Sequence, residues 1–274
     1  MNLQPYLNFA KQLVYRAGRI TLSYYNKGIQ HDVKADESPV TAADRATEEF
    51  IRGELEKNYP THAIVGEEFG ATTSNIRSSA PPSAEKVRSS VPESVETFRW
   101  IVDPIDGTKA FIKGVPFYSV LIGLEIDGVS RVGAVCFPAL DEILYAADGL
   151  GAWCNGRRVH VSDVSKLKEA VFCYTSWSGF RTKNRLDVFE NLHKQCFFGR
   201  GWSDAYGYSM VATGRAEIYL DPEIQIWDVA PWPSIFREAG GFFGSWNGEE
   251  GHTHGEGLAV NAALKSKILK LTRV

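Results

Sequence analysis

The stretch Trp100-Ile101-Val102-Asp103-Pro104-Ile105-Asp106-Gly107-Thr108 decides how the rest of the chain reads. Three β-prone residues form a strand that ends at Asp103, Pro104 fixes a rigid turn, and Asp106 follows three residues later. Two carboxylates and the Ile105 carbonyl then face one point just past the strand end. Hard divalent cations such as Mg²⁺ bind oxygen clusters of that kind. Gly107-Thr108 adds backbone N–H groups and a hydroxyl, a place for a phosphate. The plain alternative is a capped turn, because Asp-Pro and Asp-Gly are both common turn formers.

Working outward, three more segments bring acidic residues to the ends of elements. Ala63-Ile64-Val65 runs into Gly66-Glu67-Glu68, again a strand followed by a carboxylate, unless these glutamates are merely solvated. Trp227-Asp228-Val229-Ala230 opens a helix, where Asp228 taken alone reads as an N-cap. Asp44 ends the run Ser38-Pro39-Val40-Thr41-Ala42-Ala43-Asp44.

Around these segments the elements alternate in type. Leu3, Leu7, Ala10, Val14 and Ala17 recur at helical spacing, predicting an amphipathic helix that docks on its own core. A second helix runs from Thr41, its N-cap, to Tyr59, with Ala43, Ala46, Phe50 and Leu55 as its apolar face. Strands at 118–126, 133–137 and 143–146, separated by Asp127-Gly128 and Asp141-Glu142 and followed by Asn155-Gly156, predict an antiparallel meander. The second half reads as a strand at 170–174, helices at 185–193 and 205–214, and a strand at 216–220. A final helix from Val229 to Ala239 stops at Gly240-Gly241. Residues 71–97, rich in Ser, Pro, Glu and Lys, predict a flexible surface insert. The sum is a layered α+β protein, with a half over 1–150 that carries most acidic candidates and a half over 151–274 that carries Asp228.

Composition narrows the function. With 30 Lys+Arg against 33 Asp+Glu, the net charge of −3 gives no global support for gripping nucleic acid phosphates. The longest apolar stretch, 115–124, is too short for the roughly 20 residues that span a bilayer. No secretory signal pattern is visible at the N-terminus, and the four cysteines form no Cys-x-x-Cys pair, so reduced thiols in a cytoplasm are the expectation.

The chain resembles the inositol monophosphatase family of Mg²⁺-dependent, lithium-sensitive phosphatases. The resemblance rests on Asp103 to Thr108, Gly66-Glu67-Glu68, and Trp227-Asp228-x-Ala230 followed by Glu238-Ala239-Gly240-Gly241. It implies an αβαβα sandwich of the sugar-phosphatase type with mixed and antiparallel sheets, and a homodimer. It also implies two to three Mg²⁺ ions: one on Glu67, Asp103 and the Ile105 carbonyl, a second on Asp103, Asp106 and Asp228, and a weaker third on Glu67 and water. On the same resemblance Glu67 and Thr108 orient the attacking water, Asp44 accepts a hydrogen bond from Thr108, and the N–H groups of Gly107 and Thr108 bind phosphate.

Arg200-Gly201-Trp202-x-Asp204-Ala205-Tyr206-Gly207-Tyr208 looks like the histidinol-phosphatase branch of that family, as do Phe117-Tyr118-Ser119 and Val171 to Thr175. A leaving group with an amine and an imidazole is favoured by nearby carboxylates, for which Asp204 and Asp221 are the candidates. Each has a plain alternative, a helix cap for Asp204 and a turn before Pro222 for Asp221. Arg200 would bind substrate phosphate or bridge a surface acid. His252 and His254, two apart in a glycine-rich loop, read as solvated rather than metal-bound. Gly149-Leu150-Gly151 lacks the later glycine of a dinucleotide fingerprint and belongs with the hairpin at Asn155-Gly156. Inositol phosphate, a sugar bisphosphate or a 3′-phosphoadenosine nucleotide are the competing esters. A non-catalytic binding module, the reading from another class, would lack a metal ligand or the water-orienting Thr108, and neither is missing.

Overall fold

The computed structural model describes residues 1–27, 31–33, 39–72 and 96–273. Residues 73–95, the greater part of the expected insert, lie outside these, and so does Ser38. The first half runs α1 (Gln4–Tyr24), β1 (His31–Val33), β2 (Pro39–Thr41), α2 (Ala42–Asn58), β3 (Ala63–Gly66) and β4 (Gly70–Thr72). It continues through β5 (Phe98–Asp106), α3 (Thr108–Ile112), β6 (Ser119–Ile126), β7 (Val129–Phe137), β8 (Glu142–Ala147), β9 (Gly151–Cys154) and β10 (Arg157–Arg158). Next come β11 (Val171–Tyr174), α4 (Trp177–Thr182), α5 (Leu186–Gln195), β12 (Phe198–Arg200), α6 (Asp204–Ala212) and β13 (Ile218–Asp221). Last are α7 (Ile226–Val229), α8 (Trp232–Ala239), β14 (Gly241–Gly244), β15 (Gly257–Asn261) and α9 (Lys265–Thr272).

An eight-stranded sheet has the order β10-β9-β8-β7-β6-β5-β3-β4, and a five-stranded sheet the order β12-β11-β13-β15-β14. From β5 to β10 the first sheet is the expected antiparallel meander, whereas β3 joins β5 in parallel. Asp127-Gly128 and Asn155-Gly156 make the tight hairpins, each residue at positive φ as such turns require. Gly149-Leu150 instead turns between β8 and β9, one hairpin earlier than the sequence reading placed it.

Period-two alternation sorts the side chains into layers. Val120, Ile122 and Leu124 of β6 face α1 and α2, while Leu121 faces α6 and α8. In β13, Tyr219 joins the same central layer, and Ile218 and Leu220 pack under α4, α5 and α9. The architecture is therefore α1/α2, sheet, α6/α7/α8, sheet, α4/α5/α9, the αβαβα sandwich that the sequence implied. The first sheet extends through Arg158.

Four local readings need correction. β5 does not end at Asp103 but continues through Pro104 to Asp106, because a register shift against β6 between Asp103 and Asp106 absorbs the proline. Residues 71 and 72, placed in the insert, complete β4. The helix 229–239 is broken: α7 and α8 meet at Ala230-Pro231, where Pro231 lacks the N–H that a continuous helix would use. It is also not final, since β14, β15 and α9 follow it.

The junction at Ala230-Pro231 lies directly on the first sheet. Gly123 and Gly133 are register partners on β6 and β7. A Cβ on Gly123 would stand 2.7 Å from the Cβ of Ala230, and one on Gly133 would fall on the Pro231 carbonyl. Ser130 Oγ donates to the Ala230 carbonyl at 2.7 Å and fixes the approach. Two absent side chains thus set the height of α7, the helix that carries Asp228. Replacing Gly133 by Ala should therefore lower stability by about 2 kcal/mol, the usual scale for overpacking. Gly53→Ala, at a helical site with open space around it, should be neutral or stabilising. Thermal unfolding of both variants by circular dichroism checks this contrast.

Candidate metal centre and substrate cavity

β5 delivers two carboxylates from one strand because its bulge changes the pleat between them. Asp103, 2% exposed, accepts a hydrogen bond from the Ile105 N–H at 3.0 Å. Asp106 accepts from Ser119 Oγ at 3.3 Å and from the Ala205 N–H at 2.8 Å, which ties β5 to the start of α6. Asp228 is not an N-cap but the third residue of α7. Its carboxylate reaches back to the Gln225 N–H at 2.8 Å in a capping box. One oxygen from each of Asp103, Asp106 and Asp228 lies within 4.8 Å of the others.

Glu67 follows β3 and joins this group, since its negative charge acts on Asp103, Asp228 and Asp44 alike. Asp44 stands at the third position of α2. It accepts from Thr41 N–H at 2.8 Å and Thr41 Oγ at 2.5 Å, while its Oδ1 is buried with no partner among the described residues. The hydrogen bond from Thr108 to Asp44 is not formed. Thr108 Oγ donates to the Ile105 carbonyl at 3.1 Å, because α3 begins directly after Gly107 and turns the hydroxyl back on the strand end.

Burial and like charge act together on these groups. Burial, then Glu67, Asp106 and Asp228, push the Asp103 carboxyl well above the usual carboxylate range. Burial, then Asp204 and Asp228, do the same to Asp106. Asp228 is pushed up to about 7, first by burial. Asp44 is pushed up to about 6 by burial, with Glu67 adding to the shift and the Thr41 bonds opposing it. Bare carboxylates would not be packed this way without a counter-charge. The donor set is all hard oxygen, and one buried oxygen, Asp44 Oδ1, is left over; both fit Mg²⁺.

Beside the cluster opens a cavity of about 410 Å³ whose wall includes Asp106, Asp228, Asp204, Asp221, Thr175 and Lys109. Asp204 is the first residue of α6, with Ser203 at the cap position, and it holds φ +55°. That left-handed backbone, which Asp tolerates, brings its carboxylate to the backbone of Gly107. Asp221 ends β13 rather than forming an exposed turn. It is buried and accepts from Thr175 Oγ at 3.1 Å. Burial raises the carboxyls of both Asp204 and Asp221.

Arg200 does not line this cavity. It is exposed at the end of β12, where its guanidinium donates to the Gly199 carbonyl at 2.8 Å and lies 5.2 Å from the Phe198 ring centre. His252 is buried, not solvated, and meets Glu125 at 3.1 Å, with Arg99 on the same carboxylate. Lys109 and Thr175 were missed as cavity residues. Lys109 had a signal, its position directly after Thr108, whereas Thr175 reaches the cavity only through the parallel pairing of β11 with β13.

The family model described as the inositol monophosphatase family matches residues 2–273. A histidinol-phosphatase of Chlorobaculum parvum is 35% identical, over 97% of this chain and 96% of its own. Inositol monophosphatase 3 of Solanum lycopersicum is 32% identical, over 98% and 97%. The crystal structure of the extragenic suppressor protein suhB from Bartonella henselae superposes with a TM-score of 0.82 at 28% identity, covering 96% of each chain.

Carboxyls raised on folding bind more protons in the native than in the unfolded state. Their stabilising contribution is complete below the unfolded value of 3.8 and is lost as pH rises through about 6 for Asp44 and about 7 for Asp228. Metal-free protein should therefore lose thermal stability as pH rises from about 4 to about 7. Saturating Mg²⁺ should remove most of that loss, and melting curves with and without chelator measure it.

Proposed function

The chain belongs to the inositol monophosphatase family, a family of phosphatases, and on that premise we propose that it is a Mg²⁺-dependent phosphomonoesterase whose substrate is L-histidinol phosphate. The carrying observation is the pair of carboxylates, half-buried Asp204 and buried Asp221, on the wall of the cavity beside Asp106 and Asp228. They suit a leaving group that carries an amine and an imidazole better than a neutral polyol. The Chlorobaculum relative, named a histidinol-phosphatase, supports the same reading. The tomato relative, named an inositol monophosphatase at 32% identity, keeps inositol phosphate as the competing ester.

In this reading Glu67, Asp103 and the Ile105 carbonyl hold one ion and Asp103, Asp106 and Asp228 a second, with Glu67 serving a weaker third. The ions supply positive charge that offsets the anionic ester, acidifies water and steadies the departing alkoxide. The protein orients the reactants. Glu67 accepts from the attacking water, and Thr108 Oγ, whose own hydrogen is engaged by the Ile105 carbonyl, accepts another of its hydrogens. Asp44 offers the unpartnered Oδ1 beside Glu67 as a further acceptor. The N–H groups of Gly107 and Thr108 hold the phosphate, and Asp204 and Asp221 hold the cationic alcohol. The water oxygen bonds to phosphorus, the ester P–O bond breaks, and the alcohol leaves with a proton.

Asp103→Asn should reduce turnover by more than about 100-fold, because Asp103 serves both proposed ions. Turnover of histidinol phosphate, inositol phosphate, a sugar bisphosphate and a 3′-phosphoadenosine nucleotide at equal concentration checks the substrate. Preference for inositol phosphate would end the histidinol reading. Asp204→Asn keeps the left-handed backbone and should raise KM for histidinol phosphate by about 10-fold, a loss of about 1.4 kcal/mol, while leaving inositol phosphate nearly unaffected.

A further inference from the structure

Glu48 takes no part in the reading above, yet it is fully buried on α2 and is among the most fully engaged carboxylates of the described residues. It lies four residues after Asp44 and four before Arg52, so the three share one face of the helix. Arg52 Nε donates to Glu48 Oε1 at 2.7 Å, and the Arg52 guanidinium continues to the Gly70 carbonyl. The remaining acceptor capacity of Glu48 goes to backbone: the Glu68 N–H donates to Oε2 at 2.7 Å and the Phe69 N–H to Oε1 at 3.2 Å. On the other side of Glu67, a Cβ on Gly66 would fall on the Glu48 carboxylate. The turn that carries Glu67 is thus gripped before and after it by one side chain.

We infer that Glu48 is the positioning residue for Glu67: it clamps the β3–β4 turn so that the Glu67 carboxylate is held toward Asp103. The pairing with Arg52 aims the Glu48 carboxylate, and Gly66 supplies the room in which it lies. This rests on the proposed ligand role of Glu67. A carboxylate one residue removed from this clamp has little freedom to swing to solvent, so its oxygens are in place before an ion arrives.

The test measures Mn²⁺ binding to the full chain by titration calorimetry, without substrate, together with amide hydrogen exchange at residues 67–69. Glu48→Gln keeps the volume and removes the charge. Gly66→Ala keeps both charges of the pair and displaces the carboxylate. Glu67→Gln removes the ligand itself. Each variant should raise the Mn²⁺ dissociation constant about 10-fold or more, and the first two should also speed exchange at Glu68 and Phe69. A merely structural role would lower the melting temperature and leave the Mn²⁺ constant of the folded protein unchanged. Unaltered Mn²⁺ binding in both Glu48→Gln and Gly66→Ala, with binding lost in Glu67→Gln, overturns the role of Glu48 alone. Unaltered binding in Glu67→Gln overturns the ligand role of Glu67, and the inference falls with it.

Discussion

Three carboxylate oxygens held within 4.8 Å of one another, largely away from water, are the constraint that the rest of this molecule accommodates. At that separation each pair of full charges repels by about 3 kcal/mol even at an effective dielectric of about 20. Folding has to oppose that repulsion with geometry that costs little elsewhere. The bulge in β5 allows two acids from one strand to face the same point. The glycine pair on β6 and β7 brings α7 down onto the sheet, and the capping box aims Asp228 from it. Each device is local, but together they leave the cluster no way to relax except by binding protons or cations.

Much of this was legible in the sequence where a residue's chemistry is announced by its neighbours. Asp103, Asp106, Glu67 and Asp228 each read from their neighbours as standing at the end of a strand or the start of a helix, and the structure brings the three aspartates together with Glu67 beside them. The layered fold was legible for the same reason, because alternating strands and helical spacing are short-range patterns. What was not legible depends on partners far away in the chain. The buried face of α2 includes Asp44, Thr47, Glu48 and Arg52 rather than only the apolar residues, since that face meets the turn after β3. His252 reads as solvated until Glu125, 127 residues away, is placed against it. Arg200 faces solvent because β12 is the edge of its sheet.

The net charge of −3 describes the molecule poorly. Asp44, Glu67, Asp103, Asp106, Asp204, Asp221 and Asp228 act on one another or share the cavity wall, so the acidity is local, and the other 26 acidic residues (33 − 7) stand against 30 Lys+Arg. Among the described residues on the cavity wall Lys109 is the cation, and it acts on Asp204 in the opposite sense to burial. The acids belong to two groups with different surroundings. Those on β5 and α7 are shared among themselves, whereas Asp221 is steadied by the Thr175 hydroxyl and the Glu223 N–H.

The broken helix at Ala230-Pro231 bears on the order in which the molecule assembles. Asp228 lies 125 positions beyond Asp103 (228 − 103), and it reaches the β5 acids only once α7 has settled on the glycine pair. Contacts of such long sequence separation are closed late, after local hairpins and helices have formed, because their chain entropy is lost before any packing offsets it. The meander from β5 to β10 can therefore be complete while its acids still lack their third member. The capacity to hold an ion is among the last properties the folding chain acquires.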